Sequence, residues 1–168
     1  MTSPRAAGSR SSAPAETPVN EPGHCEIARS APDLADHFSI RHQVFVEEQR
    51  IFARSDRDEH DHDPATVHVL GHWEGRPAGA VRLYPLDGRG LWKGDRLAVL
   101  PALRQQRLGE LLVRFAVRSA GARGGNRMIA YIQLSNVRFF EHLGWRRVGD
   151  PVAYVGLPHQ QMDVELGP

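Results

Sequence analysis

The chain has 168 residues, a length that indicates one domain with a short extension. Hydrophobic residues make up 40% of it and charged residues 24%, and the net charge of +1 gives no indication of a nucleic-acid or membrane partner. The single cysteine, Cys25, excludes an internal disulfide and fits a reducing compartment, so we expect a cytoplasmic protein.

Residues 1–24 are rich in Ser, Pro, Ala, Gly and Glu and hold almost no large apolar side chain. A segment of this composition buries too little surface to fold. It also lacks the apolar stretch of a secretory signal. We therefore predict a disordered tail over residues 1–24 and one folded domain over residues 25–168.

The first predicted elements are a strand and a helix. Residues 25–29 suit a strand, and Ser30 then has the features of a helix N-cap, with Pro32 in the first turn and Asp33 at the capping-box position. The apolar spacing predicts that this helix continues as far as Phe45.

An acidic run with interspersed histidines follows at residues 56–63. Histidine and aspartate side chains can bind a metal ion, but their spacing here is not that of a helical metal site. We therefore expect a solvated loop and no metal.

The next two strands, residues 67–73 and 78–84, are joined by a short turn and predict a hairpin. The second strand carries Arg82 among apolar residues. Because a buried charge needs a partner, we expect Asp95 on the following strand, or else a substrate group, to bind it.

The stretch from residue 95 to residue 112 combines a strand, a turn and a helix start. Leu97–Leu100 is an apolar strand that Pro101 stops, and helical spacing from Leu108 predicts a helix to about Ala120. The turn between them is polar and basic. Since a helix start offers free N–H groups and partial positive charge, this turn suits a phosphate.

Four residues of this stretch, Val99, Pro101, Arg104 and Gly109, resemble motif A of the GNAT superfamily of acetyl-CoA-dependent N-acyltransferases. The family pattern is Val-x-Pro-x-x-Arg/Gln-x-x-Gly-x-Gly/Ala. Arg107 stands where the first glycine is expected. Its guanidinium either compensates for that glycine or points away, so that only its N–H is used.

A second motif comes after the apolar strand at residues 128–132. Asn136, Phe139, Gly144 and Trp145 resemble GNAT motif B, Ala-x-x-Phe-Tyr-x-x-x-Gly-Phe, at the correct distance from motif A. Asn136 occupies the position of the motif's alanine.

Two further segments, residues 41–49 and 156–162, resemble one branch of the family, and the second leads into an alternating last strand. In that branch the first segment lines the acceptor side. An Asp-x-x-Asp pair, here Asp58 and Asp61, often faces the acceptor there, which would suit a cationic amine. The resemblance extends over residues 25–167.

This resemblance implies an α/β (α+β) fold consisting of a single GNAT-like domain. Its mixed, mostly antiparallel central sheet would have six or seven strands, with about four flanking helices and with strands 4 and 5 splayed apart.

The resemblance also implies an N-acetyltransferase that transfers acetyl from acetyl-CoA to the primary amine of a small molecule, by direct attack in a ternary complex. The resemblance is also compatible with a homodimer. The implied donor-binding residues are Leu97, Ala98 and Val99 on the strand, Arg104, Gln105, Gln106, Arg107, Leu108, Gly109 and Glu110 at the turn, and Asn136.

The candidate general bases are His159, Glu48 and Asp95, with His68 as a further titratable group near the expected cleft. Histidine titrates near neutral pH, which favours His159, although a packing role after Pro158 is the alternative.

The family often uses a tyrosine as general acid four residues before the motif B glycine, and Phe140 stands there. Either Tyr131 or Tyr154 substitutes for it, or the thiolate leaves unprotonated.

Two alternative functions remain at this point. Residues 41–49 also resemble the opening of acyl-homoserine-lactone synthases, which would use S-adenosylmethionine and an acyl carrier, but the motif A pattern argues against that. Phe140 and Arg107 instead motivate a non-catalytic CoA-binding or interaction domain.

Overall fold

The computed structural model describes residues 21–168, and most of the predicted tail lies outside them. One eight-stranded sheet organises these described residues, in the order β1-β2-β3-β4-β5-β8-β6, with β7 paired to β8. The strands are β1 (Gly23–Ile27), β2 (Val67–Trp73), β3 (Arg76–Pro85), β4 (Leu91–Val99), β5 (Arg127–Gln133), β6 (Arg146–Arg147), β7 (Val152–Tyr154) and β8 (Leu157–Glu165). The helices are α1 (Ala31–His42), α2 (Leu108–Ala122) and α3 (Val137–His142).

The predicted fold class is confirmed. Neighbouring strands run antiparallel except for the parallel pair β4–β5. The sheet has eight strands rather than six or seven, because β6 and β7 are only two and three residues long and carry too little sequence pattern to predict. β1 begins at Gly23, two residues before the expected start.

The predicted helix starts agree with the structure. The Ser30 hydroxyl accepts a hydrogen bond from the Asp33 N–H at 3.2 Å and caps α1. After His42 the chain continues as a π-helix over Gln43–Glu48, so the predicted helix reaches Phe45 but changes its winding. α2 ends at Ala122, two residues beyond the expected end.

The sheet is covered on both faces because successive side chains of a strand point to opposite sides. On one face, Val69, Leu83 and Met128 pack with Leu108 and Leu112 of α2. On the other, Leu70, Ala80 and Ala98 pack with Ile40 and Val44. Gly79 permits the close approach of α2, since a Cβ there would lie 2.7 Å from Leu112 Cδ1.

The parallel strands β4 and β5 separate along their length. They pair from Leu91 to Lys93 against Arg127 to Ile129, whereas β5 stays paired with β8 through Gln133. The predicted splay of strands 4 and 5 is thus present, and it leaves an opening in the sheet beyond Lys93.

None of the helices formed by residues 21–168 combines the length and the apolar character needed to cross a membrane.

Candidate active site

The opening between β4 and β5 is the mouth of a cleft of about 840 Å³, counting the solvent at its entrance. Apolar side chains form most of its walls, and polar groups reach it from both strands and from the C-terminal hairpin. The lining includes Phe45, Ile51, Phe52, Asp95, Arg96, Leu97, Tyr131, Gln133, Asn136, Phe140, Trp145, Tyr154, Val155 and His159.

A β-bulge shapes the β4 side of the cleft. Ala80 pairs with Ala98 and Arg82 with Asp95, so Arg96 and Leu97 together lie opposite the single residue Val81. Arg96 has a φ of 53°, a left-handed conformation that is rare for a residue with a side chain. The bulge redirects β4 where it leaves β5, and its Arg96 and Leu97 line the cleft.

The β4 edge facing the cleft leads to the start of α2. Beyond Lys93 this edge lies opposite the opening rather than opposite a paired strand. Within residues 21–168, no side chain caps the N-terminus of α2, which leaves its first N–H groups available to a ligand.

Arg104 lies at this turn but is engaged within the protein. Its guanidinium makes a two-pronged ion pair with the Glu48 carboxylate, at 2.6 Å for Nη1, and its Nε donates to the Val99 carbonyl at 3.1 Å. The hydrogen bond from Arg104 lowers the pKa of Glu48. Glu48, a predicted base, is therefore stabilised as a carboxylate and is outside the cleft lining.

The Arg107 side chain is not part of the cleft lining. It is 76% exposed and lies 3.3 Å from the Glu110 carboxylate. The Arg107 backbone has a φ of −82°, so the position does not require a glycine.

Gly109, by contrast, is not explained by packing. A Cβ built there would meet its nearest atoms, on Phe139 and Val99, at ordinary distances of 3.7 and 3.9 Å. Glycine lowers helix stability, so its presence in the first turn of α2 needs another reason.

Asp95 lies on β4 in the cleft wall, and its carboxylate is fixed by Arg82 as predicted. Arg82 Nε and Nη2 donate to the two Asp95 oxygens at 2.8 and 2.7 Å. Tyr84 adds a longer contact of 3.5 Å from its hydroxyl. Burial and, after it, the Asp95 charge raise the pKa of Tyr84, so this hydroxyl remains a donor at neutral pH.

The acidic run at residues 56–63 is not a solvated loop, and that expectation was wrong. Arg41 and Arg82 have fully buried side chains, and each requires carboxylates. Asp58 pairs with Arg82 at 2.6 Å, and Asp61 pairs with Arg41 at 2.8 Å. The run folds onto the sheet because it supplies these counter-charges.

Asp61 is the centre of this ion network. Its burial opposes ionisation, but hydrogen bonds from His68 and Arg41 outweigh it and hold the Asp61 pKa far below its usual range. Asp58 and Asp61 also form a reciprocal capping box. Asp58 and Asp61 therefore bind groups of the protein itself rather than facing an acceptor. His68, which lies 3.1 Å from Asp61, belongs to the same network.

His159 lies in the cleft wall on β8 and is 4% exposed. Its Nδ1 is 2.9 Å from the Leu157 carbonyl. If Nδ1 carries the proton and donates this bond, Nε2 keeps a lone pair that can accept a proton. The Tyr154 ring packs edge-on against the imidazole at 5.2 Å.

Two phenols lie in the cleft wall. Tyr131 and Tyr154 stack at 5.1 Å, and the Lys93 ammonium lies 3.4 Å from the Tyr154 hydroxyl. Lys93 was not among the predicted site residues. Its sequence signal was that it is the single lysine of the chain, in which the other basic side chains of this kind are arginines.

Motif B places one polar residue, Asn136, and two apolar residues, Phe140 and Trp145, in the lining. Asn136 is exposed just before α3, and Phe140 is 5% exposed and packs edge-on against Trp145 at 5.3 Å. Of the predicted catalytic residues, the structure brings Asp95 and His159 to the cleft and leaves Glu48 outside its lining.

Comparison with known proteins was decisive for the family. A model described as the acetyltransferase (GNAT) family matches residues 32–145. The chain belongs to the GNAT family.

Relatives agree with this assignment. YjcF of Bacillus subtilis, described as an uncharacterized N-acetyltransferase, is 30% identical over 137 residues, or 81% of this chain and 95% of that protein. Escherichia coli ElaA has a TM-score of 0.73 at 21% identity, covering 84% of this chain and 97% of its own. An aminoglycoside 6′-N-acetyltransferase complexed with coenzyme A has a TM-score of 0.66 at 17% identity, with coverages of 83% and 93%.

Membership of the GNAT family supports an acyl-CoA-dependent acyltransferase. The two solved structures, both below 25% identity, show that the fold is shared.

Proposed function

We propose that this GNAT protein transfers acetyl from acetyl-CoA to the primary amine of a small molecule, by direct attack in a ternary complex. The observation that carries the proposal is the separation of β4 from β5 beyond Lys93, which opens a cleft beside the strand that leads to the uncapped start of α2. A thioester arm and a pyrophosphate suit these two adjoining features.

The donor side uses the β4 edge and the turn after it. Backbone groups of Leu97, Ala98 and Val99 would pair with the pantetheine arm, and the turn from Arg104 to Glu110 would hold the pyrophosphate. Gly109 supports this role because the protein's own packing does not require a glycine there. Asn136, exposed at the cleft, would add a polar contact to the donor.

The acceptor side lies between Phe45, Phe52 and the β7–β8 hairpin. An attacking amine must first lose a proton, and His159 Nε2 would accept it if the donor bond to Leu157 fixes the tautomer. Asp95, held by Arg82, would orient the acceptor through its charge. Glu48 is the weakest of the three candidate bases, because Arg104 occupies its carboxylate and, unlike Asp95 and His159, it is not part of the cleft lining.

The departing thiolate would take a proton from Tyr154. Phe140 cannot donate one, whereas the Tyr154 hydroxyl lies beside the Lys93 ammonium, which would stabilise the phenolate that forms. This assigns to the C-terminal hairpin the task that many GNAT enzymes give to motif B.

The test is to measure CoA release from acetyl-CoA with a panel of primary amines. Velocities should rise with amine concentration, and double-reciprocal lines should intersect, as direct transfer in a ternary complex requires. Acetyl-CoA binding without transfer to any amine would favour a non-catalytic domain. Transfer that requires S-adenosylmethionine would favour the lactone-synthase alternative.

A further inference from the structure

At the outer edge of the sheet, three side chains with metal-binding atoms meet on one face. His24 on β1 pairs in register with His72 on β2, and Glu26 lies two residues along on the same face as His24. One nitrogen or oxygen from each lies within 4.8 Å of the others. Within residues 21–168, this is the one such group of three or more side chains that could bind a metal.

The geometry of the group is close to that of a metal site. The two imidazole rings are stacked at 4.6 Å and are parallel to within 4°, and His72 Nε2 is 2.8 Å from Glu26 Oε1. In a tetrahedral zinc site, ligand atoms at the usual bond lengths lie about 3.3 Å from one another. Because His24 is exposed and the Glu26 side chain is 45% exposed, small rotamer changes can close the remaining distance.

Packing does not account for this arrangement. The other face of β1 contacts α2, since a Cβ at Gly23 would lie 2.8 Å from Leu111. An ion pair between His72 and Glu26 involves only one histidine. It does not explain why the His24 ring stacks on the His72 ring. Two imidazoles and a carboxylate are the ligands that Zn²⁺ and its neighbouring divalent transition metals prefer.

We propose that His24, Glu26 and His72 bind one divalent transition-metal ion, with Zn²⁺ as the first candidate and water completing the coordination. The three residues are separate from those that line the cleft, so the site is distinct from the acyl-transfer site. The ion would fasten the edge strand β1 to β2, because it takes ligands from both strands. This proposal replaces the expectation from the sequence that no metal is bound.

The test uses the full chain without a polyhistidine tag, stripped of metal by a chelator and titrated calorimetrically with Zn²⁺. The wild type should bind one ion per chain. His24→Ala and Glu26→Gln should each lose at least tenfold in affinity, and both side chains are exposed enough that the fold should persist. His42→Ala is the matched control. It removes an exposed histidine that lies 3.7 Å from a glutamate, Glu47, but outside β1 and β2, and this variant should bind Zn²⁺ as the wild type does.

Two further readouts identify the ligands. Co²⁺ should give visible absorption bands in the wild type that are absent in His24→Ala. Zn²⁺, but not Mg²⁺, should raise the melting temperature, because an ion bound to the folded state alone stabilises it. The proposal is overturned if the wild type shows no saturable Zn²⁺ binding, or if His24→Ala binds Zn²⁺ as tightly as the wild type.

Discussion

At the scale of single residues, a substitution at Gly109 should affect helix stability and CoA binding in opposite directions. Gly109→Ala should leave the fold intact and stabilise α2 by up to about 1 kcal/mol, because alanine is the better helix former and its Cβ has room. The same methyl group should weaken CoA binding at least tenfold, about 1.4 kcal/mol, if the pyrophosphate approaches this backbone. Chemical denaturation and a CoA titration measure the two effects, and unchanged CoA affinity would remove Gly109 from the donor site.

The Arg104–Glu48 ion pair permits a second test. Arg104→Ala should weaken acetyl-CoA binding by roughly 1–3 kcal/mol, since it removes a charged side chain, now paired with Glu48, at the turn that we propose holds the pyrophosphate. Glu48→Gln shows how Arg104 acts. If Arg104 must leave Glu48 to reach the phosphate, this variant binds the donor more tightly, and if Arg104 only anchors the turn, it binds less tightly. An unchanged affinity in Arg104→Ala would exclude both roles.

The proposed proton acceptor is tested by His159→Ala. If Nε2 accepts the amine proton, kcat should fall by a factor on the order of 10²–10⁴. An increase in KM with kcat preserved would instead place His159 among acceptor-binding residues. Wild-type kinetics in this variant would transfer the role of base to Asp95.

At the scale of elements, the loop at residues 56–63 is held to the sheet by buried charges. Asp61→Asn should lower the free energy of unfolding by about 3–5 kcal/mol, because it leaves Arg41 buried with only part of its counter-charge. Asp63→Asn in the same loop is the control, since an amide oxygen can keep the bond that the exposed Asp63 accepts from the Ala65 N–H. Equal stabilities for the two variants, measured by denaturant unfolding, would contradict the network.

The elements differ in how far the sequence predicted them. Local sequence patterns predict the α1 cap, the β2–β3 hairpin and α2. They also predict the Arg82–Asp95 pair, because an arginine in an apolar strand needs a carboxylate. The Arg104–Glu48 pair joins residues 56 positions apart, and no local pattern shows it. The network around Asp61 was missed because acidic residues in a run are usually solvated, and its signal was the second buried arginine, Arg41.

At the scale of the whole molecule, His37 links stability to pH. It is completely buried between α1 and β2, with Nδ1 placed to donate to the Val69 carbonyl at 2.9 Å and Nε2 at 3.3 Å from Arg41. Burial, together with the nearby Arg41 charge, lowers the pKa of His37 to about 3. The folded protein therefore holds this imidazole neutral where the unfolded chain would protonate it.

The sign of the pH dependence follows from that difference. Above about pH 6.5, His37 is neutral in both the folded and the unfolded state, and its contribution to stability is complete. As the pH falls from there towards 3, this contribution is lost at up to about 1.4 kcal/mol per pH unit. The aspartates with lowered pKa values act in a separate window, below their ordinary value near 3.9. Between pH 7 and pH 4, the unfolding free energy of His37→Gln should decline less steeply than that of the wild type. Equal slopes for the two proteins would contradict this role of His37.

The central claim is that acetyl-CoA binds along the open edge of β4 and at the start of α2. Hydrogen–deuterium exchange of the full chain, with and without saturating acetyl-CoA, tests it most directly. We predict slower exchange in peptides that cover residues 97–110, with little change in β1 and β2. Protection confined to other strands, or unchanged exchange over residues 97–110 at saturation, would contradict the account.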